Sequence, residues 1–323
     1  MSSRMSSRML DRARGCAIGA AVGDALGMPL EFDFARPPQR LVREMQKGRL
    51  PAGSFTDDTE MALALAESLL CHCPLDPVDL AERFVVWYQA GPPDVGLHTS
   101  RVLSRVASGK PWADAARSVQ RGKPDSAGNG SVMRCWPVAL AHWDDLDTLL
   151  AGSRLQSQVT HPHPECEAGS AFASATLFHL LRGMAPAQAV ARAQDETELP
   201  EALRSAIDAA PGRHRDELAN TGWVRHTLES AAWGLLTTDS FEEAVVQVVN
   251  LGGDADTAGA VVGALAGAAY GLEAVPRRWR TALRGEWPMG SGIQRGETEL
   301  VHVADQLVGI QTQEPAIRSD HKA

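Results

Sequence analysis

Long apolar runs are missing from this sequence. No stretch reaches the roughly 18 consecutive apolar residues of a membrane-spanning helix, and the N-terminus lacks the apolar core of a signal peptide. Positive charge is in short supply: 31 basic residues face 40 acidic ones, for a formal net charge of −9. That balance argues against a protein whose main business is coating nucleic acid. Phosphate-bearing small ligands stay open, because a bound metal reverses the local sign. Aromatic residues make up only 5% of the chain against an apolar share of 44%, while alanine, glycine and leucine are abundant. The expected core is therefore one of helices packed closely through small side chains. The five cysteines, Cys16, Cys71, Cys73, Cys135 and Cys166, are odd in number and sit mostly inside apolar patterns, which suits reduced thiols. Cys71-His72-Cys73 lacks a second ligand pair at zinc-finger spacing and reads as a helix end before Pro74. A soluble cytoplasmic protein is the expectation these absences leave, with a monomer as its assembly.

What is present is helix after helix. Spacing of the 3.6-residue type, or helix-rich composition between Pro and Gly punctuation, predicts helices over 11–27, 59–71, 77–90, 99–109, 111–120, 134–142, 144–158, 166–183, 186–194, 198–209, 224–236, 240–250, 257–270, 276–283 and 295–310. Strands of period 2 are not evident. The run 260–269, AVVGALAGAA, is apolar all round and predicts a helix buried on most faces. No linker divides the chain, so one all-α domain is expected over 11–310. The repeated MSSR unit marks 1–10 as a disordered arm, with Met5 as an alternative start, and the polar end 311–323 as a disordered tail. The polar, turn-rich stretch 209–222 is expected to be a surface loop and a candidate lid.

Two short acidic clusters carry the chemistry: Thr56-Asp57-Asp58-Thr59 and Asp254-Ala255-Asp256-Thr257. Each offers carboxylate and hydroxyl oxygens in a tight run before an apolar helix, the ligand set that hard divalent cations such as Mg²⁺ or Mn²⁺ select. Ordinary helix capping is the plainer explanation of either cluster taken alone. A cap needs one side-chain oxygen, however, and each cluster supplies two carboxylates and a threonine. At an effective dielectric of about 20, one pair of carboxylates at about 4 Å costs on the order of 4 kcal/mol. If the clusters meet in space, bound cations are the natural compensation.

Other candidates are weaker singly. Gly128-Asn129-Gly130-Ser131 can turn backbone N–H groups toward an anion but lacks the Lys-Ser/Thr ending of a P-loop. His161 stands just before a helix, where it could donate to a phosphate. Asp24 interrupts a small, apolar helix and needs a partner. Glu31, in the turn after that helix, and Asp94, between Pro93 and Val95, could reach into a cleft or could be solvated charges.

Together these segments resemble the ADP-ribosylglycohydrolase family. The residues that carry the resemblance are 19–27 (GAAVGDALG) with Glu31, then Thr56 to Thr59, Asp94-Val95-Gly96, 128–134 (GNGSVMR), Thr160-His161, 221–224 (TGWV) with Thr227-Leu228-Glu229, and 252–257 (GGDADT). Order and spacing match along roughly residues 14–285, and the bacterial branch named for dinitrogenase reductase-activating glycohydrolase is the one most resembled. The resemblance implies an all-α fold with two Mg²⁺ or Mn²⁺ ions held by Thr56, Asp57, Asp58, Asp254, Asp256 and Thr257. It implies Asp94 as a candidate base, Glu31 as a mobile acidic residue, Asp256 as essential to turnover, and Gly128 to Ser131 with His161 around the diphosphate and proximal ribose. Trp223 stands where relatives often carry tyrosine and would stack on the ligand. The implied reaction is metal-dependent removal of mono-ADP-ribose from protein arginine, releasing ADP-ribose and reversing a partner transferase. ADP-ribosyl-serine, O-acetyl-ADP-ribose or a modified base are alternative substrates, and a crystallin-like structural role is the non-enzymatic alternative.

Overall fold

Glycine, rather than leucine, sets the spacing of the two central helices. The computed structural model describes residues 6–310. Its helices are α1 (Ser7–Gly27), α2 (Asp57–Cys71), α3 (Pro77–Gln89), α4 (Leu97–Ala107), α5 (Trp112–Gly122), α6 (Trp136–Ala141), α7 (Leu146–Gln158), α8 (Pro164–Leu181), α9 (Pro186–Glu196), α10 (Glu201–Ala209), α11 (Val224–Thr237), α12 (Phe241–Val249), α13 (Ala255–Tyr270), α14 (Arg277–Ala282) and α15 (Glu297–Val308). The all-α expectation holds, and every expected helix is present with its ends shifted by a few residues. The only strand pair among the described residues is two residues long on each side, Gly285–Glu286 against Gln294–Arg295, too short to leave a period-2 pattern.

α1 and α13 run antiparallel in backbone contact. A β-carbon at Gly15, Gly19 or Gly23 would lie 2.4, 2.2 or 1.8 Å from the carbonyl oxygen of Gly267, Gly263 or Gly259. Such spacing permits Cα–H···O contacts along the seam and excludes any larger side chain. It also fixes register, so the C-terminal end of α1 lies against the N-terminal end of α13. Gly27 completes the seam against the carbonyl of Ala255. Around this pair, one continuous cluster of buried apolar side chains runs from Ala13 to Val308. A small satellite of Val102, Ala115, Ala116 and Val119 joins α4 to α5. All five cysteines are free thiols, and α2 ends at Cys71, as expected of the segment before Pro74.

The N-terminal arm needs correction. Residues 7–10 belong to α1, because Ser6 caps the helix by accepting from the Met9 N–H at 3.2 Å and Met9 is itself buried. The expected tail 311–323 and the first five residues lie outside the described residues. The loop 209–222 contains two short 3₁₀ turns, and Arg215 donates to the Asn250 carbonyl at 2.5 Å. No helix among the described residues is long and apolar enough to cross a membrane.

Candidate active site

The two acidic clusters begin the two helices that α1 holds together. α13 is placed by the glycine seam and α2 by Asp24, the buried carboxylate of α1. Asp24 accepts the Thr56 hydroxyl at 2.8 Å, the Thr59 hydroxyl at 2.6 Å, and the backbone N–H groups of Thr56 and Thr59 at 2.9 and 3.2 Å. That is the partner its sequence position demands. Asp57, Asp58, Asp254, Asp256 and Thr257 thereby reach one cavity of about 640 Å³, whose walls also include Glu31, Asp94, Gly128, Asn129, Gly130 and His161.

Capping does not explain the clusters. Thr56 and Asp254 occupy the N-cap positions of α2 and α13, yet neither side chain caps its helix. Thr56 turns to Asp24 and Asp58, and Asp254 accepts from the Asn129 amide at 2.7 Å. Asn129 also donates to Thr227, which ties the glycine turn to the acidic floor. Asn220 clamps the second cluster from outside, donating to the carbonyls of Gly252 and Asp254 and accepting the Asp254 N–H. Gly252 and Gly253 make the approach with φ of +69° and +63°; a β-carbon on Gly253 would lie 1.8 Å from the Asn220 carbonyl oxygen. The same turn fixes Glu31, because the Phe32 N–H donates to the Gly253 carbonyl at 2.6 Å and Gly253 N–H donates to Asp33.

The electrostatics fit a bound cation. Burial, then repulsion from neighbouring carboxylates, pushes Asp57, Asp58 and Asp256 well above the usual carboxylate range. Asp24 is pushed up to about 6 by burial against the opposing pull of its four donors. Glu60, buried and accepting from the Trp87 indole at 2.7 Å, is pushed up to about 8, again by burial. Asp58 Oδ1 is buried with no hydrogen-bond partner among the described residues. A hard cation would satisfy that oxygen and remove the repulsion together.

A guanidinium already stands at the mouth. Arg49, from the loop before α2, donates Nη1 to Glu31 and Nη2 to Asp94, with Nη2 also 3.3 Å from Asp256 Oδ2. Carboxylate oxygens of Glu31, Asp94 and Asp256 lie within 4.8 Å of one another. Burial raises Glu31, with Arg49 pulling the other way.

The glycine turn and His161 form another part of the cavity lining. Gly130 must lack a β-carbon, which would sit 2.7 Å from His161 Cε1. His161 stacks on His98 with ring centres 4.5 Å apart, and burial holds it well below its ordinary value, so it is neutral near pH 7. Its Nδ1 meets the Thr160 hydroxyl at 2.8 Å, and that oxygen accepts from Arg134 at 2.8 Å. Arg134 is wholly buried against Phe84, and loss of hydration lowers it to about 9. Ser131 is placed differently from expectation: its hydroxyl accepts from Ser157 and Ser170 inside the core, off the cavity wall. Trp223 is 38% exposed beside the cavity residues Thr221 and Gly222, and its indole donates to Glu165.

A sequence model of the family described as ADP-ribosylglycohydrolase matches residues 5–316. The chain belongs to the ADP-ribosylglycohydrolase family. A family member from Rhodospirillum rubrum, ADP-ribosyl-[dinitrogen reductase] glycohydrolase, is 34% identical over 246 residues, 73% of this chain and 75% of that one. The ADP-ribosylarginine hydrolase Tri1 of Serratia proteamaculans is 34% identical over 242 residues, which span 72% of this chain and 63% of Tri1. A solved structure titled ADP-ribosylglycohydrolase-related protein complex superposes with a TM-score of 0.79 at 36% identity, covering 94% of this chain and 99% of that one.

Within this ADP-ribosylglycohydrolase cleft, sequence reasoning missed Arg49, Asn220 and His98. Arg49 sits in an unremarkable polar loop, and nothing in its neighbours signals three carboxylates. Asn220 was legible only as part of a turn-rich stretch. Arg134 lay inside the motif 128–134, but no local pattern marks it as a buried cation.

Proposed function

We propose that this protein is a metal-dependent hydrolase that removes mono-ADP-ribose from arginine side chains of proteins, reversing a cognate ADP-ribosyltransferase in the cytoplasm. The observation that carries this reading is the meeting of both acidic clusters on one cavity that the glycine turn and His161 also line. The arginine linkage is favoured by the relatives, one an ADP-ribosylarginine hydrolase by name. Thr56, Asp57, Asp58, Asp254, Asp256 and Thr257 would hold two divalent ions, Mg²⁺ or Mn²⁺. Held there, they would supply Lewis acidity to the ribose hydroxyls and to the attacking water.

The chain's own residues do the rest. Gly128, Asn129, Gly130 and His161 seat the diphosphate and proximal ribose, and Trp223 flanks the ligand. Asp94 takes the proton of the attacking water, with Glu31 beside it. Water oxygen bonds to the anomeric carbon, the carbon–nitrogen bond breaks, and guanidine leaves with its electron pair and takes up a proton. As a strong base, it needs no strong acid in the protein.

The test is release of ADP-ribose from two peptides, one modified on arginine and one on serine, with Mg²⁺, Mn²⁺ or EDTA and Asp256→Asn as control. Metal-dependent release from the arginine peptide alone supports the reading; release from neither peptide would move it to another ADP-ribosyl compound.

A further inference from the structure

Arg49 is the one cation in contact with the acidic mouth of this cleft among the described residues, and it belongs to the chain itself. Its guanidinium bridges Glu31 from the turn after α1, Asp94 from the loop before α4, and Asp256 on α13. The backbone that delivers it is fixed. A β-carbon on Gly48 would lie 2.8 Å from Pro29 Cα, so the loop lies directly on the turn that carries Glu31. The side chain is 32% exposed. Glu31 and Asp94 line the cavity together with two cations, Arg101 on α4 and Lys123 just after α5.

An arginine-linked substrate would bring a second guanidinium to the same place. With its sugar over the acidic floor and its diphosphate by the glycine turn, the leaving group points to the mouth where Glu31 and Asp94 stand. We infer that Arg49 is an internal occupant of the leaving-group subsite, seated on Glu31 and Asp94 until the guanidinium of the substrate displaces it. The inference rests on the arginine-hydrolase reading above. Two carboxylates that each take one arm of the same guanidinium fit its planar fork and fit a serine hydroxyl poorly. Arg49 thus makes every arginine substrate compete with an identical group, and Glu31 with Asp94 confer the linkage preference. A side chain seated about nine-tenths of the time lowers the apparent affinity of a competitor about tenfold.

The experiment is calorimetric titration of methylguanidinium into full-length protein saturated with Mg²⁺ and ADP-ribose. Arg49→Gln is expected to bind methylguanidinium about tenfold tighter than wild type, by removal of the occupant. Arg49→Lys should fall between, and adding Glu31→Gln to Arg49→Gln should cancel the gain. In peptide assays Arg49→Gln should lower KM for the arginine-linked substrate. Equal or weaker methylguanidinium binding by Arg49→Gln and Arg49→Lys would overturn the inference, as would a change confined to Mg²⁺ affinity. Hydrolysis of the arginine peptide without that gain leaves the functional reading intact and removes this one. The gain without hydrolysis does the reverse.

Discussion

Asp24 and Thr59, 35 residues apart in sequence, are joined by a 2.6 Å hydrogen bond from the threonine hydroxyl to Asp24 Oδ2. Through it and the three bonds from Thr56 and the Thr59 backbone, a carboxylate outside the expected ligand set decides where the first acidic cluster points. Asp24→Asn keeps the volume but turns an amide N–H toward two existing donors. Removing a buried charge offsets part of the lost hydrogen bonding, so the melting temperature should move little. Displacing Thr56 and Asp58 by about 1 Å should lower turnover by about 10²-fold. Intact turnover in Asp24→Asn would show that Asp24 does not position the site.

The metal-free protein should lose stability as pH rises. Asp24, at about 6, and Glu60, at about 8, hold their protons more tightly folded than unfolded. Folding therefore binds protons, and the stability they contribute declines from the ordinary carboxyl range near pH 4 up through those two values. In EDTA the midpoint of thermal unfolding should fall between about pH 5 and about pH 8 by several degrees, since about 1 kcal/mol moves Tm by roughly 2–4 °C in a domain of 150–250 residues. Glu60→Gln should flatten the upper part of that slope. A flat or rising profile would contradict the burial of these carboxylates.

Adding Mg²⁺ or Mn²⁺ near pH 7.5 should raise the melting temperature and chelation reverse it. A ligand bound only by the native state adds about 2.7 kcal/mol at a hundredfold excess over Kd. Asp256→Asn should abolish turnover, blunt the metal-induced shift and leave ADP-ribose binding partly intact, because the glycine turn and His161 do not depend on it. Unchanged turnover in metal-containing buffer would remove Asp256 from the site.

Residue type made much of this site legible, and distance in space did not. The fifteen α-helices of the described residues could be read because apolar periodicity and Pro or Gly punctuation are local signals. The Asp and Thr clusters stood out because their oxygen count exceeds what a cap requires. Asp24 could be recognised as a carboxylate in need of a partner, but that Thr56 and Thr59 answer it depends on how α1 and α2 pack. Ser131 came with the glycine turn, whose backbone N–H groups carried the reading; that its hydroxyl accepts from Ser157 and Ser170 in the core depends on how α7 and α8 pack. Arg49 left no trace at all, since ion pairs across loops carry no periodicity.

The glycine seam offers the sharpest link between packing and chemistry. Gly23 and Gly259 touch backbone to backbone near the C-terminal end of α1 and the N-terminal end of α13, one residue from Asp24 and three from Asp256. A β-carbon on Gly23 would overlap the Gly259 carbonyl oxygen at 1.8 Å, and one on Gly259 would lie 2.4 Å from the Gly23 carbonyl oxygen. Neither neighbour is a side chain that can rotate away, so the helices must separate. Overpacking of this kind costs about 1–3 kcal/mol, and the separation falls where the two acidic clusters meet. Gly23→Ala should therefore lower the melting temperature and weaken Mg²⁺ binding together. An alanine at exposed Gly122, where nothing lies within 4 Å of the added carbon, is the control that should change neither. If Gly23→Ala lost stability but bound Mg²⁺ as tightly as wild type, the register of α1 against α13 would not be what assembles the acidic floor.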